Sequence, residues 1–126
     1  MKKTVFFALA PLLFFGCANN FEDKKEQLDL VVERNEKCEK YREVLEEKIN
    51  YPQWIEEVFY SPKTESCLAI YSTYDDNIDS SLVDIFSKEV VADIDINFKT
   101  TDLSVAEQDE KVKAFDQTVA EYKKLN

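Results

Sequence analysis

A regular alternation of apolar and polar side chains near residue 90 constrains the fold of this chain more than any other feature. Every second residue is apolar, and from residue 93 onward the intervening positions carry acids or an amide; the apolar set is Val90, Ala92, Ile94, Ile96 and Phe98. A period of two is typical of a β-strand with one buried face. The chain is therefore expected to build a sheet whose apolar face is covered by other elements.

A partner strand is predicted at residues 82–86, joined to the first by a tight turn. An even number of loop residues places Ile85 opposite Val90 and Val83 opposite Ala92, so that the aliphatic side chains share one face. The opposite face of this hairpin is then expected to be acidic, with Asp84, Glu89, Asp93 and Asp95.

Two further strands are predicted earlier in the chain. Residues 55–60 and 67–74 are rich in β-favouring side chains, and Pro62 between them has the fixed φ that suits a turn. Residues 75–81 are predicted as a loop, because they are mostly polar. The four strands follow one another closely, which favours an antiparallel meander.

A long helix is predicted at residues 26–49. Its apolar residues recur at steps of three and four along one stripe: Leu28, Val31, Cys38, Leu45 and Ile49. Two further positions of this stripe are polar, Asn35 and Arg42. The seven-residue rhythm leaves two alternatives open, a coiled coil and packing against the protein's own sheet. The second is favoured, since polar residues occupy two seam positions.

A second helix is predicted at residues 105–124, where Ser104 and Glu107 form a capping-box pattern. Its apolar stripe contains Val105, Val112, Phe115, Val119 and Tyr122. The sequence thus predicts a single α+β domain over residues 26–126. It consists of an N-terminal helix, a four-stranded antiparallel meander and a C-terminal helix in two layers.

The first residues of the chain have the layout of a secretory signal peptide. Lys2 and Lys3 precede an apolar run at residues 5–15, and Gly16 and Cys17 follow. As a helix, eleven apolar residues span roughly 16 Å, against about 30 Å of hydrocarbon in a bilayer. We therefore expect residues 1–16 to be removed and residues 17–25 to form a tether.

The segment Leu13-Phe14-Phe15-Gly16-Cys17 resembles the lipobox of bacterial lipoproteins. The resemblance implies that Cys17 becomes the first residue of the mature chain and carries the lipid, with acyl groups of the palmitate type. Because Ala18 rather than aspartate follows, the family pattern implies an outer-membrane anchor facing the periplasm. Simple secretion after cleavage at Ala18, and an N-terminal helix buried in the fold, are the alternatives.

The charge balance narrows the class of partner. The whole chain has a formal net charge of −10, and removing Lys2 and Lys3 from the 16 basic side chains leaves 14 against 26 acidic ones, a net charge of −12. Nucleic acid and anionic lipid surfaces both require clustered Lys and Arg, so neither is expected as a direct partner. A basic envelope protein or a metal cation fits the charge, and plain solubility explains it as well.

Two missing residue types exclude most catalytic chemistry. The chain has no histidine, and its single glycine, Gly16, lies in the segment expected to be removed. Phosphate-binding glycine loops, nucleophile elbows, Ser-His or Cys-His catalysis and imidazole metal sites are therefore excluded. Carboxylate chemistry remains, but the candidates Asp84, Asp93 and Asp95 are expected on an open sheet face without desolvation. We expect neither an enzyme nor a cofactor.

One acidic segment partly matches a calcium loop. Asp75, Asn77 and Asp79 have the alternate spacing with which such loops begin. Ser80 replaces the glycine of the sharp turn, and Phe86 occupies the position of the bidentate glutamate. The three residues are thus weak metal candidates, and an exposed acidic turn is the expected structure.

Two cysteines, Cys38 and Cys67, remain once Cys17 is lipidated or removed. They allow one intramolecular disulfide, which an oxidising compartment favours. Two unpaired thiols and a bridge between chains are the alternatives. The residues Tyr60-Ser61-Pro62-Lys63 with Cys67 also look like small uncharacterised bacterial lipoproteins that pair a helix cysteine with one just past such a turn, which implies a similar α+β fold.

The functional hypothesis is a lipid-anchored envelope lipoprotein that acts as a non-catalytic protein-interaction module. Its expected partners are the membrane, through the anchor, and an envelope protein. A secreted cation- or ligand-binding domain is the alternative, and a carboxylate-based hydrolase is a distant third.

Overall fold

The computed structural model describes residues 19–73 and 76–125. The elements in chain order are α1 (Asn19–Glu39), α2 (Tyr41–Glu46), β1 (Gln53–Ser61), β2 (Ser66–Thr73), β3 (Asn77–Asp84), β4 (Val90–Asn97) and α3 (Val105–Lys123). The expected signal peptide, the lipidation residue Cys17 and the metal candidate Asp75 lie outside the described residues. Within the described part of the chain, no helix combines the length and apolar character needed to cross a membrane.

The four strands form one sheet in the order β1-β2-β3-β4, and each strand is antiparallel to its neighbours. The α+β class, the order of elements and the meander predicted from the sequence are therefore confirmed. The meander is possible because only three to five residues separate consecutive strands.

The helices cover opposite faces of the sheet. Cys38 of α1 and Leu45 of α2 pack in one apolar cluster with strand residues that include Val58, Cys67 and Ala69. Val119 of α3 packs in a second cluster with Phe59, Leu68, Ile70 and Leu82. The layering thus differs from the two layers expected, and the sheet lies between α1–α2 and α3. The reason is that β2 is apolar on both faces, so each face requires a cover.

The N-terminal helix begins earlier and ends earlier than the predicted residues 26–49. It begins at Asn19, inside the segment expected to be a tether, and it ends at Glu39. Lys40 interrupts it, and α2 then continues only to Glu46. The prediction of one continuous helix is therefore wrong. Leu28, which was expected on the buried stripe, is 52% exposed. The reason is that residues 21–30 of α1 are all exposed and do not pack on the sheet.

The prediction of a loop at residues 75–81 is also wrong, because β3 begins at Asn77. Every second residue of this strand, namely Ile78, Ser80 and Leu82, lies on one face. The hydropathy pattern does not show this period of two, because Ser80 and Ser81 are both polar.

The register of the last hairpin differs from prediction by one residue. Leu82 rather than Val83 lies opposite Ala92, and Val83 lies opposite Val90 after an irregularity in the ladder. The turn sets this register. The Asp84 carboxylate accepts hydrogen bonds from the N–H groups of Phe86 and Ser87, and Lys88 takes a left-handed φ of 66°.

The start of α3 agrees with the sequence. The Ser104 hydroxyl accepts a hydrogen bond from the Glu107 N–H, and the Glu107 carboxylate accepts one from the Ser104 N–H. This reciprocal pair satisfies donors that the first turn of a helix otherwise leaves open.

Candidate functional site

The two cysteines that remain after Cys17 meet between α1 and β2. Cys38 lies near the end of α1, Cys67 is the second residue of β2, and their α-carbons are 5.4 Å apart in a disulfide-bonded pair. Their exposed fractions are 1% and 7%, so the pair is part of the apolar cluster on this face. The α-carbon separation is typical of protein disulfides.

The two polar residues in the helix stripe bind the outer edge of β1. Asn35 accepts a hydrogen bond from the Tyr60 N–H over 2.6 Å, and Arg42 donates one to the Ile55 carbonyl over 3.1 Å. Edge strands expose unpaired backbone groups, and these two side chains satisfy one donor and one acceptor. Packing on the protein's own sheet, the favoured alternative for this helix, is thus what the structure shows.

An acidic sheet face exists, but its membership differs from prediction. Asp93 and Asp95 are exposed on β4, and Asp79 of β3 lies directly opposite Asp95. Asp84 is not part of this face, because its carboxylate is engaged in the turn after β3. Glu89 lies in the same turn, where its carbonyl accepts the Asp84 N–H. The face therefore carries Asp79, Asp93 and Asp95.

Two of the three residues suggested for calcium lie in a strand rather than in a loop. Asn77 and Asp79 lie in β3, opposite Asn97 and Asp95, and an extended strand cannot wrap alternate oxygens around one cation. The third candidate, Asp75, is outside the described residues. Within residues 19–73 and 76–125, no group of three or more acidic or cysteine side chains is placed to hold a metal ion.

Three of the described carboxyl groups have a displaced pKa, and each is displaced downward. A hydrogen bond from Lys37 lowers the pKa of Glu33, and hydrogen bonds with Ser104 lower that of Glu107. Burial raises the pKa of Asp84, but hydrogen bonds from the turn outweigh it, so the pKa lies below its ordinary value. A general acid of the glycosidase type needs a raised pKa, which none of these three groups has.

A groove of about 430 Å³ runs between α3 and the sheet. Its floor is apolar, and the buried side chains in it come from three elements: Ile70 of β2, Ile94 of β4 and Val119 of α3. Val112 and Phe115 of α3 extend the apolar lining. The volume lies within the usual range of ligand sites in proteins.

The rim of this groove is acidic. Glu56, Glu57 and Asp116 line it with one cation, Lys123, so its carboxylates outnumber its ammonium groups. Lys123 contacts both carboxylate oxygens of Glu57, at 2.8 Å and 2.6 Å, and this pair is internally neutral. In the described part of the chain, no ion pair or hydrogen bond engages the Asp116 carboxylate.

Two neighbouring hydroxyls, one of them buried, lie behind the remaining rim carboxylate, that of Glu56. Ser72 is 4% exposed, and its hydroxyl donates to Glu56 over 3.0 Å. The Ser80 hydroxyl lies 2.8 Å from that of Ser72. The ladder between β1 and β2 is irregular between Ile55 and Glu57, and the intervening residue is Glu56.

The groove and its residues were not among the sites predicted from the sequence. No short stretch of sequence predicts the groove, because its lining residues come from all four strands and from α3. Asp116 was the available clue, since on a helix it lies one turn from both Val112 and Val119 of the apolar stripe.

No family model, curated protein or solved structure matches this chain, and its function is therefore inferred from its own residues.

Proposed function

We propose that this chain is a lipid-anchored envelope lipoprotein whose folded domain acts as a non-catalytic protein-interaction module. The anchor is assigned to Cys17, the chain is placed in the outer membrane facing the periplasm, and the expected partner is a basic envelope protein. The basic residues, apolar run and Gly16-Cys17 at the start of the sequence support the export signal.

The observation that carries the proposal is the bonded pair of Cys38 and Cys67. Structural disulfides persist in oxidising compartments and are rare in the bacterial cytosol. The buried disulfide and the signal-like N-terminus are independent features, and both favour a location outside the inner membrane. The tight packing of both sulfurs supports a structural rather than a redox role.

A binding role is favoured over catalysis by the chemistry that the domain offers. The chain lacks histidine, so a carboxylate reaction is the remaining route for a hydrolase. Asp93 and Asp95 are exposed to water on the acidic face, and Asp84 has a lowered pKa. A groove with an apolar floor and a charged rim has instead the composition of a recognition surface.

The test is a Cys17→Ala variant of the full chain, produced in a bacterium fed a labelled fatty acid. The unchanged protein is expected to take the label and to fractionate with membranes, and the variant is expected to lose both properties. Ser104→Ala is the matched control, since it alters the folded domain and leaves the anchor segment intact. If neither the unchanged protein nor Cys17→Ala takes the label, and both fractionate alike, the lipid anchor is refuted.

A further inference from the structure

The groove beneath α3 crosses the whole sheet. Its lining includes Glu57 of β1, Ile70 of β2, Ser80 of β3 and Ile94 of β4. Neighbouring strands lie about 4.8 Å apart, so four strands give the groove a length of about 14 Å. An extended peptide rises about 3.3 Å per residue, and about four residues fit this length.

The chemistry of the groove selects the charge of its occupant. The apolar floor favours aliphatic side chains, and burial against it contributes roughly 25 cal/mol per Å² of apolar surface. Along the rim, Lys123 neutralises Glu57, whereas Asp116 has no such partner and Glu56 is held by a neutral hydroxyl. Fatty acids and anionic phospholipid headgroups carry the wrong charge for such a rim.

The geometry points to this groove as the binding site for an extended segment of a partner protein that alternates aliphatic and basic residues. Alternate side chains of an extended segment point in opposite directions, so the aliphatic ones face the floor and the basic ones reach Glu56 and Asp116. The inference rests on the proposed function, because it assigns the surface and the chemistry of the partner to the interaction module.

The test uses nuclear magnetic resonance of the purified protein, titrated with acetyl-Leu-Lys-Leu-Lys-Leu-amide. We expect binding in the micromolar to millimolar range, with shifts of the methyl signals of Ile70, Ile94 and Val119. The same peptide with glutamine in place of lysine is expected to bind more weakly, and the peptide with glutamate is expected not to bind. High salt is expected to weaken binding of the lysine peptide, because salt screens the attraction between its ammonium groups and the carboxylates of the rim.

Two variants connect the binding to the rim. Asp116→Asn removes an exposed carboxylate that has no partner in the described structure, so the variant is expected to keep its fold. It is expected to lower the affinity for the lysine peptide about threefold. Glu121→Gln is the matched control, since it removes one exposed carboxylate of α3 that does not line the groove. It is expected to leave the affinity unchanged.

Several results would overturn the assignment. Equal binding of the lysine and glutamate peptides contradicts the charge argument, and shifts confined to Asp79, Asp93 and Asp95 move the site to the acidic face. Absence of any shift rejects the groove as a peptide site. A dimer that blocks the peptide assigns the groove to a second copy. None of these results affects labelling at Cys17, so they leave the lipid-anchored part of the proposed function standing.

Discussion

Loss of the bond between Cys38 and Cys67 is predicted to destabilise the domain strongly. The two cysteines are separated by 29 positions in the sequence. In the chain-entropy model, a crosslink that closes a loop of this length stabilises the folded state by about 3–4 kcal/mol, since it restricts the unfolded chain. A domain of this size has a total stability of about 5–15 kcal/mol. The crosslink is therefore expected to supply about a fifth or more of the total stability.

The assay is urea unfolding of the oxidised and reduced protein, followed by the fluorescence of Trp54, the single tryptophan. Reduction is carried out in denaturant, because the sulfur atoms are buried, and refolding follows in the presence of reductant. The comparison keeps both sulfur atoms, so it isolates the crosslink. A double variant, Cys38→Ala with Cys67→Ala, adds the loss of buried sulfur and is expected to be less stable still. A difference below about 1 kcal/mol between oxidised and reduced protein would refute this reasoning.

Four other changes test the fold and the metal candidates. Asn35→Ala leaves the buried Tyr60 N–H without its acceptor and is expected to cost about 1–3 kcal/mol in urea unfolding, whereas an unchanged midpoint would show that water replaces the side chain. Ser104→Ala is expected to cost about 1 kcal/mol by removing the cap of α3, with loss of helicity measured by circular dichroism. Because the pKa of Glu107 is lowered in the folded state, its contribution is present above its unfolded pKa and is lost as the pH falls through the folded pKa. Acid is therefore expected to lower the melting temperature less in Glu107→Gln than in the unchanged protein, and an equal fall in both would contradict the sign. Chelator is expected to leave the melting temperature unchanged, and millimolar calcium to shift it by no more than about two degrees, so a large rise would restore the site at residues 75–79.

The features that could be predicted from the sequence are those set by neighbouring residues. The start of α3 follows from Ser104 and Glu107, which are three residues apart and satisfy each other's backbone donors. The strand at β4 follows from its period of two, and only its register was predicted incorrectly. The cysteine pairing follows from counting, because two candidates allow one intramolecular bond.

The layering could not be predicted, because it depends on which faces of the sheet are apolar after all four strands have paired. A reading of β4 alone shows one apolar face, and this suggested a sheet covered on one side. Leu68 and Ile70 of β2 form part of the second face, and their alternation with Cys67 and Ala69 is hidden in a continuous apolar run. Such a run indicates a strand buried on both faces, but periodicity alone does not distinguish it from a helix.

The polar residues in the stripe predicted at residues 26–49 show a second limit. Asn35 of α1 and Arg42 of α2 interrupt this stripe, and the sequence offers them only as gaps. Their role depends on the edge of β1, which becomes adjacent to the helix only in the folded chain. The groove beneath α3 is likewise the product of long-range packing, since Glu56 and Asp116, which are 60 positions apart in the sequence, line the same groove.

The most direct test of the central claim is the intact mass of the protein purified from bacterial membranes and alkylated without reductant. The account predicts a chain that begins at Cys17, carries a diacylglycerol-type lipid and takes up no alkylating agent, because Cys38 and Cys67 are bonded to each other. An unlipidated chain that begins at Asn19, or a monomer in which both of these cysteines are alkylated, would contradict it.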